Sequence, residues 1–225
     1  MDTNADIALN IEAIRRTIPA GVEMVAVSKF HPVERLRAAY DAGQRIFGES
    51  RVQELLDKIP QMPADTRWHF IGHLQTNKVR HLVGHASMIE SVDSERLLAL
   101  IDRESERAGM VSRVLMQVHV AAEETKFGFT PDELTAYFER RGFETLRATH
   151  ICGIMGMASN TDDTVRVRAD FAEIAHTFRR ILAAAPDLRG FDTISMGMSG
   201  DYPIAIEEGA TLVRIGTAIF GHREY

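Results

Sequence analysis

The sequence has 225 residues, of which 45% are hydrophobic and 26% charged, a balance typical of a globular protein with a substantial core. A formal net charge of −6 excludes the broad basic field of a nucleic-acid-binding protein. A single cysteine excludes an internal disulfide, and ten methionines favour a reducing cytoplasmic environment. The sequence shows neither a leader nor an apolar run of membrane-spanning length, so no membrane partner is predicted.

The predicted elements begin with a helix over residues 7–17, after which strand-length apolar runs alternate with amphipathic helical stretches. Eight runs are predicted as strands: 23–28, 45–48, 67–72, 86–92, 113–119, 147–154, 192–196 and 211–216. This alternation is typical of parallel βα units, and eight strands is the number that closes a barrel. Without a linker or repeat, residues 1–225 are predicted to form a single α/β domain, a (β/α)8 TIM-like barrel with an extra N-terminal helix.

Several helix starts are predicted between the strands. Ser50 with Gln53, and Thr130 with Glu133, have the capping-box spacing, and Asn160 is predicted to cap the long helix that follows it. In such barrels the functional loops follow the carboxyl ends of the strands, so a site is expected there.

Lys29 directly ends the first predicted strand in VEMVAVSKFHP and shares a strand face with Val25 and Val27. If that face points inward, the amine lies at the barrel mouth, where partial loss of water favours the neutral form that attacks an aldehyde. The alternative is a lysine that keeps its charged end in water at the barrel rim. Among the other lysines, Lys58 is interpreted as a solvated charge on an outer helix, and Lys126 follows the fifth strand.

The last two predicted strands end in turns suited to an anion. In TLVRIGTAIFG, Arg214 is predicted to project into the barrel, and the amides of Gly216 and Thr217 are placed to cradle a phosphate. The alternative is a glycine turn with an arginine paired to a barrel carboxylate. In ISMGMSGDYP, Ser195 and Ser199 surround a glycine, and Ser199 is placed to begin the next helix, either as part of an anion site or as an ordinary cap.

Six ordered segments resemble the pyridoxal phosphate homeostasis protein family over nearly the whole chain: AVSKFHP, FGESRVQE, WHFIGHLQTNK, ETKFGF, SMGMSGD and VRIGTAIFG. The barrel of that family is similar to the N-terminal domain of alanine racemase. The resemblance implies that Lys29 holds pyridoxal 5′-phosphate (PLP) as a Schiff base and that Arg214 faces the pyridine nitrogen. It places four residues around the phosphate: Ser195, Ser199, Gly216 and Thr217.

The sequence departs from the family pattern at two places. Ser50 stands where the family usually has Asn, and GIMGMAS lacks a proline that often follows that segment. Ser50 is still counted among the predicted cofactor-binding residues.

An arginine beside the pyridine nitrogen disfavours its protonation, whereas most PLP enzymes use an acidic partner that secures the protonated ring. The resemblance therefore implies a non-enzymatic protein that carries PLP and takes part in its intracellular homeostasis. The composition predicts a cytoplasmic protein, and an open barrel mouth suits a monomer. Its expected partners are B6 vitamers and PLP-requiring apoenzymes. Alanine racemase takes a second base, a tyrosine, from an added C-terminal domain, and no such domain is expected here.

Two other functions remain open at this point. The first is a low-activity PLP-dependent amino-acid racemase, for which Tyr202 near the predicted mouth offers a base, although a role in packing the first turn of a helix is favoured for this tyrosine. The second is a barrel enzyme that binds a phosphate ligand without pyridoxal. The histidine pairs His69 with His73, and His81 with His85, have spacings that zinc sites use, but structural roles are favoured and no metal is predicted.

Overall fold

The computed structural model describes residues 4–120 and 127–221, in which eight parallel strands close into a barrel in chain order. The strands are β1 (Glu23–Val27), β2 (Ile46–Glu49), β3 (Arg67–Phe70), β4 (Met88–Val92), β5 (Ser112–Gln117), β6 (Thr149–Met155), β7 (Thr193–Ser195) and β8 (Leu212–Ile215). The ring closes because β1 pairs with β8 as well as with β2. All eight predicted strands and the barrel are confirmed.

The helices lie between the strands and at both ends of the series. They are α1 (Asn4–Thr17), α2 (Val33–Asp41), α3 (Val52–Lys58), α4 (Val79–Leu82), α5 (Glu95–Ala108), α6 (Pro131–Glu139), α7 (Thr164–Ala184), α8 (Tyr202–Glu207) and α9 (Thr217–Phe220). Helix α1 precedes β1, which confirms the extra N-terminal helix. In the described part of the chain, no helix combines the length and the apolar character that crossing a membrane requires.

One of the three predicted helix caps is confirmed. Thr130 Oγ1 accepts a hydrogen bond from the Glu133 amide at 3.2 Å, and the Thr130 amide donates to Glu133 Oε2 at 2.8 Å, which completes a capping box. The cap predicted at Asn160 is wrong. Asp163 begins α7 instead, since its Oδ1 accepts from the amide of Val165 at 3.0 Å.

The cap predicted at Ser50 is also wrong. Helix α3 begins one residue later than that cap requires, with Arg51 in an extended conformation at the cap position and no side-chain hydrogen bond. The Ser50 backbone packs tightly against Gly72, where an added Cβ would lie 2.2 Å from the Ser50 carbonyl oxygen. This close approach follows the pairing of β2 with β3, and the backbone is still extended at Arg51, where a helix capped by Ser50 would already have begun.

Two layers of side chains fill the inside of the barrel. The apolar layer consists of Val25, Ile46, Met88, Leu115, Cys152, Met155 and Leu212. Because strand side chains alternate, a residue two positions further along a regular strand points inward as well. On β4 and β8 these residues are Glu90 and Arg214, so a charged layer lies between the apolar floor and the carboxyl ends of the strands.

Candidate functional site

A cavity of about 300 Å³ opens at the carboxyl ends of the strands. It is lined by Val27, Lys29, Ile71, Met155, Met157, Met198, Ser199, Gly200, Arg214, Gly216 and Thr217. The structure thus brings five of the seven predicted site residues together around one space. A larger surface depression of about 450 Å³ lies near the amino ends of the strands, and its lining includes no lysine.

Lys29 reaches this cavity because β1 directs alternate residues into the barrel. Val25 is fully buried in the apolar layer, and Val27 and Lys29 line the cavity above it. The face that these three residues share is therefore directed into the barrel, and Lys29 is one of the residues that line the cavity.

The turn after β8 gathers backbone amides on one oxygen. Ser199 Oγ accepts hydrogen bonds from the amides of Gly216 at 3.2 Å and Ala218 at 3.3 Å. Two amides that converge on one oxygen have the arrangement of an anion-binding turn. Gly216 also allows close approach to β1, since a Cβ there would lie 3.3 Å from Val27 Cβ.

The sequence placed Ser199 at the start of the next helix, and this prediction is wrong. Helix α8 starts at Tyr202, with Asp201 at the cap position. The Asp201 carboxylate accepts from the Met198 amide at 2.5 Å and closes a turn around Ser199. The hydroxyl of Ser199 is therefore directed to the amides after β8 rather than to α8.

Arg214 is 4% exposed and stands in a buried polar chain below the cavity. Its guanidinium donates to the Gly156 carbonyl at 2.9 Å and to Ser195 Oγ. Ser195 Oγ in turn donates to Glu90 Oε2 at 2.6 Å, and Glu90 Oε1 is 2.6 Å from His69 Nδ1. The predicted inward position of Arg214 and the alternative, an arginine paired with a barrel carboxylate, thus both hold, since Glu90 lies 3.8 Å from the guanidinium.

The charges in this series of buried polar residues balance each other. Burial acts to raise the pKa of Glu90, but the hydrogen bond and charge of His69, the charge of Arg214 and the Ser195 hydroxyl together hold that pKa below its ordinary value. Burial lowers the pKa of Arg214, while the carboxylates of Glu90 and Asp201 oppose the shift. The carboxylate of Glu90 is thus the counter-charge of Arg214.

Glu90 is a residue that sequence reasoning missed. It stands two positions after Met88 in a strand whose residues are all buried, and an acid at such a position indicates a buried partner of opposite charge.

Ser195 and Ser50 are not among the described residues that line the cavity. Ser195 is fully buried, and both hydrogen bonds of its hydroxyl join Arg214 to Glu90. Ser50 follows β2, where its backbone contacts Gly72. Direct contact of either hydroxyl with a bound phosphate or ring stays a prediction.

The interpretation of Lys58 as a solvated charge is wrong. Lys58 is 6% exposed, and its ammonium donates to Glu49 Oε1 at 2.8 Å, to Glu54 Oε1 at 2.7 Å and to the Ser28 carbonyl at 2.9 Å. The physical reason lies in the spacing of α3, where Lys58 stands three residues after the buried Leu55 and so continues the inner face of the helix.

Glu49 is the most deeply buried member of this group. Burial raises its pKa to about 7, although the charge and hydrogen bond of Lys58 and the hydrogen bond from Ser28 lower it. Within the described residues, its second oxygen, Oε2, is buried without a hydrogen-bond partner.

The two histidines of the pair His69 and His73 have separate surroundings. His69 is bonded to Glu90, whereas the ring of His73 stacks on Phe127 at 3.9 Å and its Nδ1 lies 2.9 Å from Asp93 Oδ2. Across residues 4–120 and 127–221, no three His, Cys, Asp or Glu side chains are grouped as metal ligands.

The tyrosine considered as a base lies outside the cavity lining. The hydroxyl of Tyr202 is 2.7 Å from Thr17 Oγ1 at the end of α1. Lys126 and much of the ETKFGF segment lie outside the described residues.

Comparison with known proteins assigns the chain to a family. The family model for the N-terminal domain of alanine racemase matches residues 3–224. The pyridoxal phosphate homeostasis protein of Vibrio cholerae serotype O1 is 38% identical over 213 residues, which cover 92% of this chain and 87% of that protein. The chain belongs to the pyridoxal phosphate homeostasis protein family. The resemblance predicted from six segments is confirmed.

Solved structures of PipY support the same assignment. PipY of Synechococcus elongatus PCC7942 is 37% identical to this chain and has been solved without PLP and with PLP bound, with TM-scores of 0.90 and 0.88. In both cases the match covers 96% of this chain and 100% of PipY. Alanine racemase from E. faecalis is 19% identical and has a TM-score of 0.75 over 98% of this chain and 58% of that chain, a likeness of fold alone.

Proposed function

We propose that this protein binds PLP through a Schiff base on Lys29 and takes part in the homeostasis and carriage of the cofactor. The observation that carries the proposal is that one cavity is lined by Lys29, by Arg214 and by the anion-binding type of turn at Gly216. The names of the relatives and the PLP-bound structure of PipY support it.

The residues present fit the chemical groups of PLP. A lysine amine suits the aldehyde, the converging amides of Gly216 and Ala218 suit the phosphate, and the buried guanidinium of Arg214 suits the pyridine nitrogen. A cavity of about 300 Å³ is of a size that takes a small cofactor. When bound, PLP supplies a reactive aldehyde and an electron-withdrawing ring.

Arg214 favours carriage over catalysis. Its guanidinium is fixed by Gly156, Ser195 and Glu90, and a cation directed at the ring nitrogen disfavours protonation of that nitrogen. The electron-withdrawing power of the ring is then reduced. We therefore propose a monomeric cytoplasmic carrier whose partners are B6 vitamers and PLP-requiring apoenzymes, rather than a racemase.

The visible spectrum of the purified protein tests this function. We expect absorbance of a lysine-bound PLP, and after borohydride reduction a pyridoxyl group on Lys29 in peptide mapping. Protein that stays colourless after addition of PLP, or that is modified elsewhere, would contradict the proposal. Alanine racemisation at the rate of dedicated racemases would replace the carrier with the enzyme hypothesis.

Placing a negative charge at Ser199 is expected to separate phosphate recognition from amine chemistry. In Ser199→Asp the carboxylate occupies the amides of Gly216 and Ala218 and repels the phosphate. We expect PLP to bind at least about a hundredfold more weakly, since two unit charges about 4 Å apart repel by about 4 kcal/mol near a protein surface.

Pyridoxal, which has no phosphate, serves as the matched ligand for this variant, and Ser199→Asn as the uncharged control of similar size. Titration followed by absorbance should show pyridoxal binding unchanged in Ser199→Asp. Equal weakening of both vitamers would place the phosphate somewhere other than the turn after β8.

A further inference from the structure

The peptide groups on either side of Lys29 are held by the network of Glu49, Glu54 and Lys58, here called the Lys58 network. The Lys58 ammonium donates to the carbonyl of Ser28, the residue before Lys29, at 2.9 Å. Glu54 Oε1 accepts from the amide of Phe30, the residue after Lys29, at 2.6 Å. Lys58 and Glu54 also pair with each other at 2.7 Å, so the two contacts are connected. These two backbone contacts of Lys58 and Glu54 are called the brace below.

The braced segment has an uncommon backbone conformation. Phe30 has a φ of 68°, in the left-handed region that a residue with a side chain seldom adopts. Such a conformation costs about 1–3 kcal/mol and persists only where its surroundings hold it. Besides the Glu54 carboxylate, the guanidinium of Arg51 lies 4.7 Å from the centroid of the Phe30 ring. Both holding residues belong to the first turn of α3 or its cap position.

A second layer of the same network reaches the Ser28 side chain. Ser28 Oγ donates to Glu49 Oε1 at 2.6 Å, and the same oxygen accepts from Lys58 at 2.8 Å. Buried ion pairs of this kind are weak contributors to stability, because removal of water from both charges offsets their attraction. Stability alone therefore does not explain why a lysine is buried at this place. A role in fixing the turn that carries Lys29 does explain it.

We propose that Lys58 and Glu54 are positioning residues that hold the Ser28–Phe30 peptide groups and thereby aim the Lys29 amine into the cavity. The inference rests on the proposed function, in which that amine meets the aldehyde of PLP. Neither residue lines the cavity, so each acts through the backbone of its neighbours.

Lys58→Met tests the brace while keeping the length and apolar stem of the side chain. We expect about tenfold weaker binding of both PLP and pyridoxal, because misplacement of a reacting group by about 1 Å is sufficient for such losses. Both vitamers should be affected alike, since the defect lies at the amine and not at the phosphate. Binding is measured by absorbance at a temperature at which circular dichroism shows the variant to be folded.

Arg141→Met is the matched control, since Arg141 also pairs with two carboxylates, Glu144 and Asp187, but precedes β6 at the opposite end of the barrel. We expect wild-type binding of both vitamers in this control.

Glu54 supplies a second pair of variants that keeps the inference testable if Lys58→Met does not fold. Glu54→Gln retains an oxygen that accepts from the Phe30 amide, whereas Glu54→Ala removes it. The side chain of Glu54 is 19% exposed, and Lys58 keeps Glu49 as its partner in both variants. We expect Glu54→Ala to bind both vitamers about tenfold more weakly and Glu54→Gln to remain close to wild type.

The outcomes separate this inference from the function on which it rests. Binding of both vitamers within twofold of wild type in folded Lys58→Met and in Glu54→Ala overturns the brace while leaving Lys29 as the PLP-binding residue. A wild-type protein that gives no pyridoxyl adduct on Lys29 overturns the proposed function itself. Weaker binding of PLP alone, with pyridoxal unchanged, also contradicts the brace.

Discussion

Lys29→Ala is expected to abolish the covalent attachment of PLP and to weaken PLP binding at least about a hundredfold, because about 3 kcal/mol or more is lost with the bond to the amine. Of the described lysines, Lys29 alone lines the cavity. The ammonium of Lys58 donates to three acceptors that are not part of the cavity lining, and Lys78 is an exposed residue of the segment after β3. Absorbance titration and mass measurement after borohydride reduction provide the test.

Lys29→Arg is the appropriate companion variant, since it keeps a positive charge of similar reach but remains protonated and does not attack aldehydes. Both variants should lose the pyridoxyl adduct. Weak residual binding of PLP is expected in both, through the amides of Gly216 and Ala218. An unchanged yield of adduct on Lys58, Lys78 or Lys126 would show that Lys29 is not the attachment point.

Arg214→Met is expected to lower the free energy of unfolding of the cofactor-free protein by about 3–5 kcal/mol, since it removes a buried cation whose charge helps to offset that of the Glu90 carboxylate. Glu90 is fully buried, and after the substitution the partners of its carboxylate among the described residues are His69 and Ser195. Urea unfolding followed by circular dichroism measures the loss.

The double variant Glu90→Gln with Arg214→Met identifies the source of that loss. Removal of the carboxylate charge should recover a large part of the free energy, so that the two substitutions are strongly non-additive. A cost below about 1 kcal/mol for Arg214→Met alone would mean that Glu90 is adequately stabilised by its other partners, and the assignment of Arg214 as its counter-charge would be wrong.

Much of the fold follows from local patterns in the sequence. Alternation of apolar residues identifies the strands, because each is buried on both faces or directs every second residue inward. The same alternation places Val25 and Lys29 on one face of β1, and the general rule that barrel sites lie at the carboxyl ends of strands completes the prediction. The glycine turn at Gly216 follows from the same rule applied to β8.

The polar contacts of the interior could not be predicted in this way, since they join residues distant in sequence. Lys58 meets the Ser28 carbonyl across 30 positions, and Ser195 meets Glu90 across 105. A signal was nevertheless present for Lys58, because Val52, Leu55 and Lys58 form one helix face at three-residue spacing. Helix-facing periodicity indicates that a residue turns inward but not which acceptors it meets.

The cavity lies across the junction at which the first and last strands of the ring meet. Lys29 follows β1, Gly216 follows β8, and these strands pair along four residues. A ligand attached on both sides of that junction stabilises the pairing of β1 with β8. Ligand binding and closure of the barrel therefore favour each other. During synthesis, the site therefore comes into existence only after the eighth strand has emerged and paired.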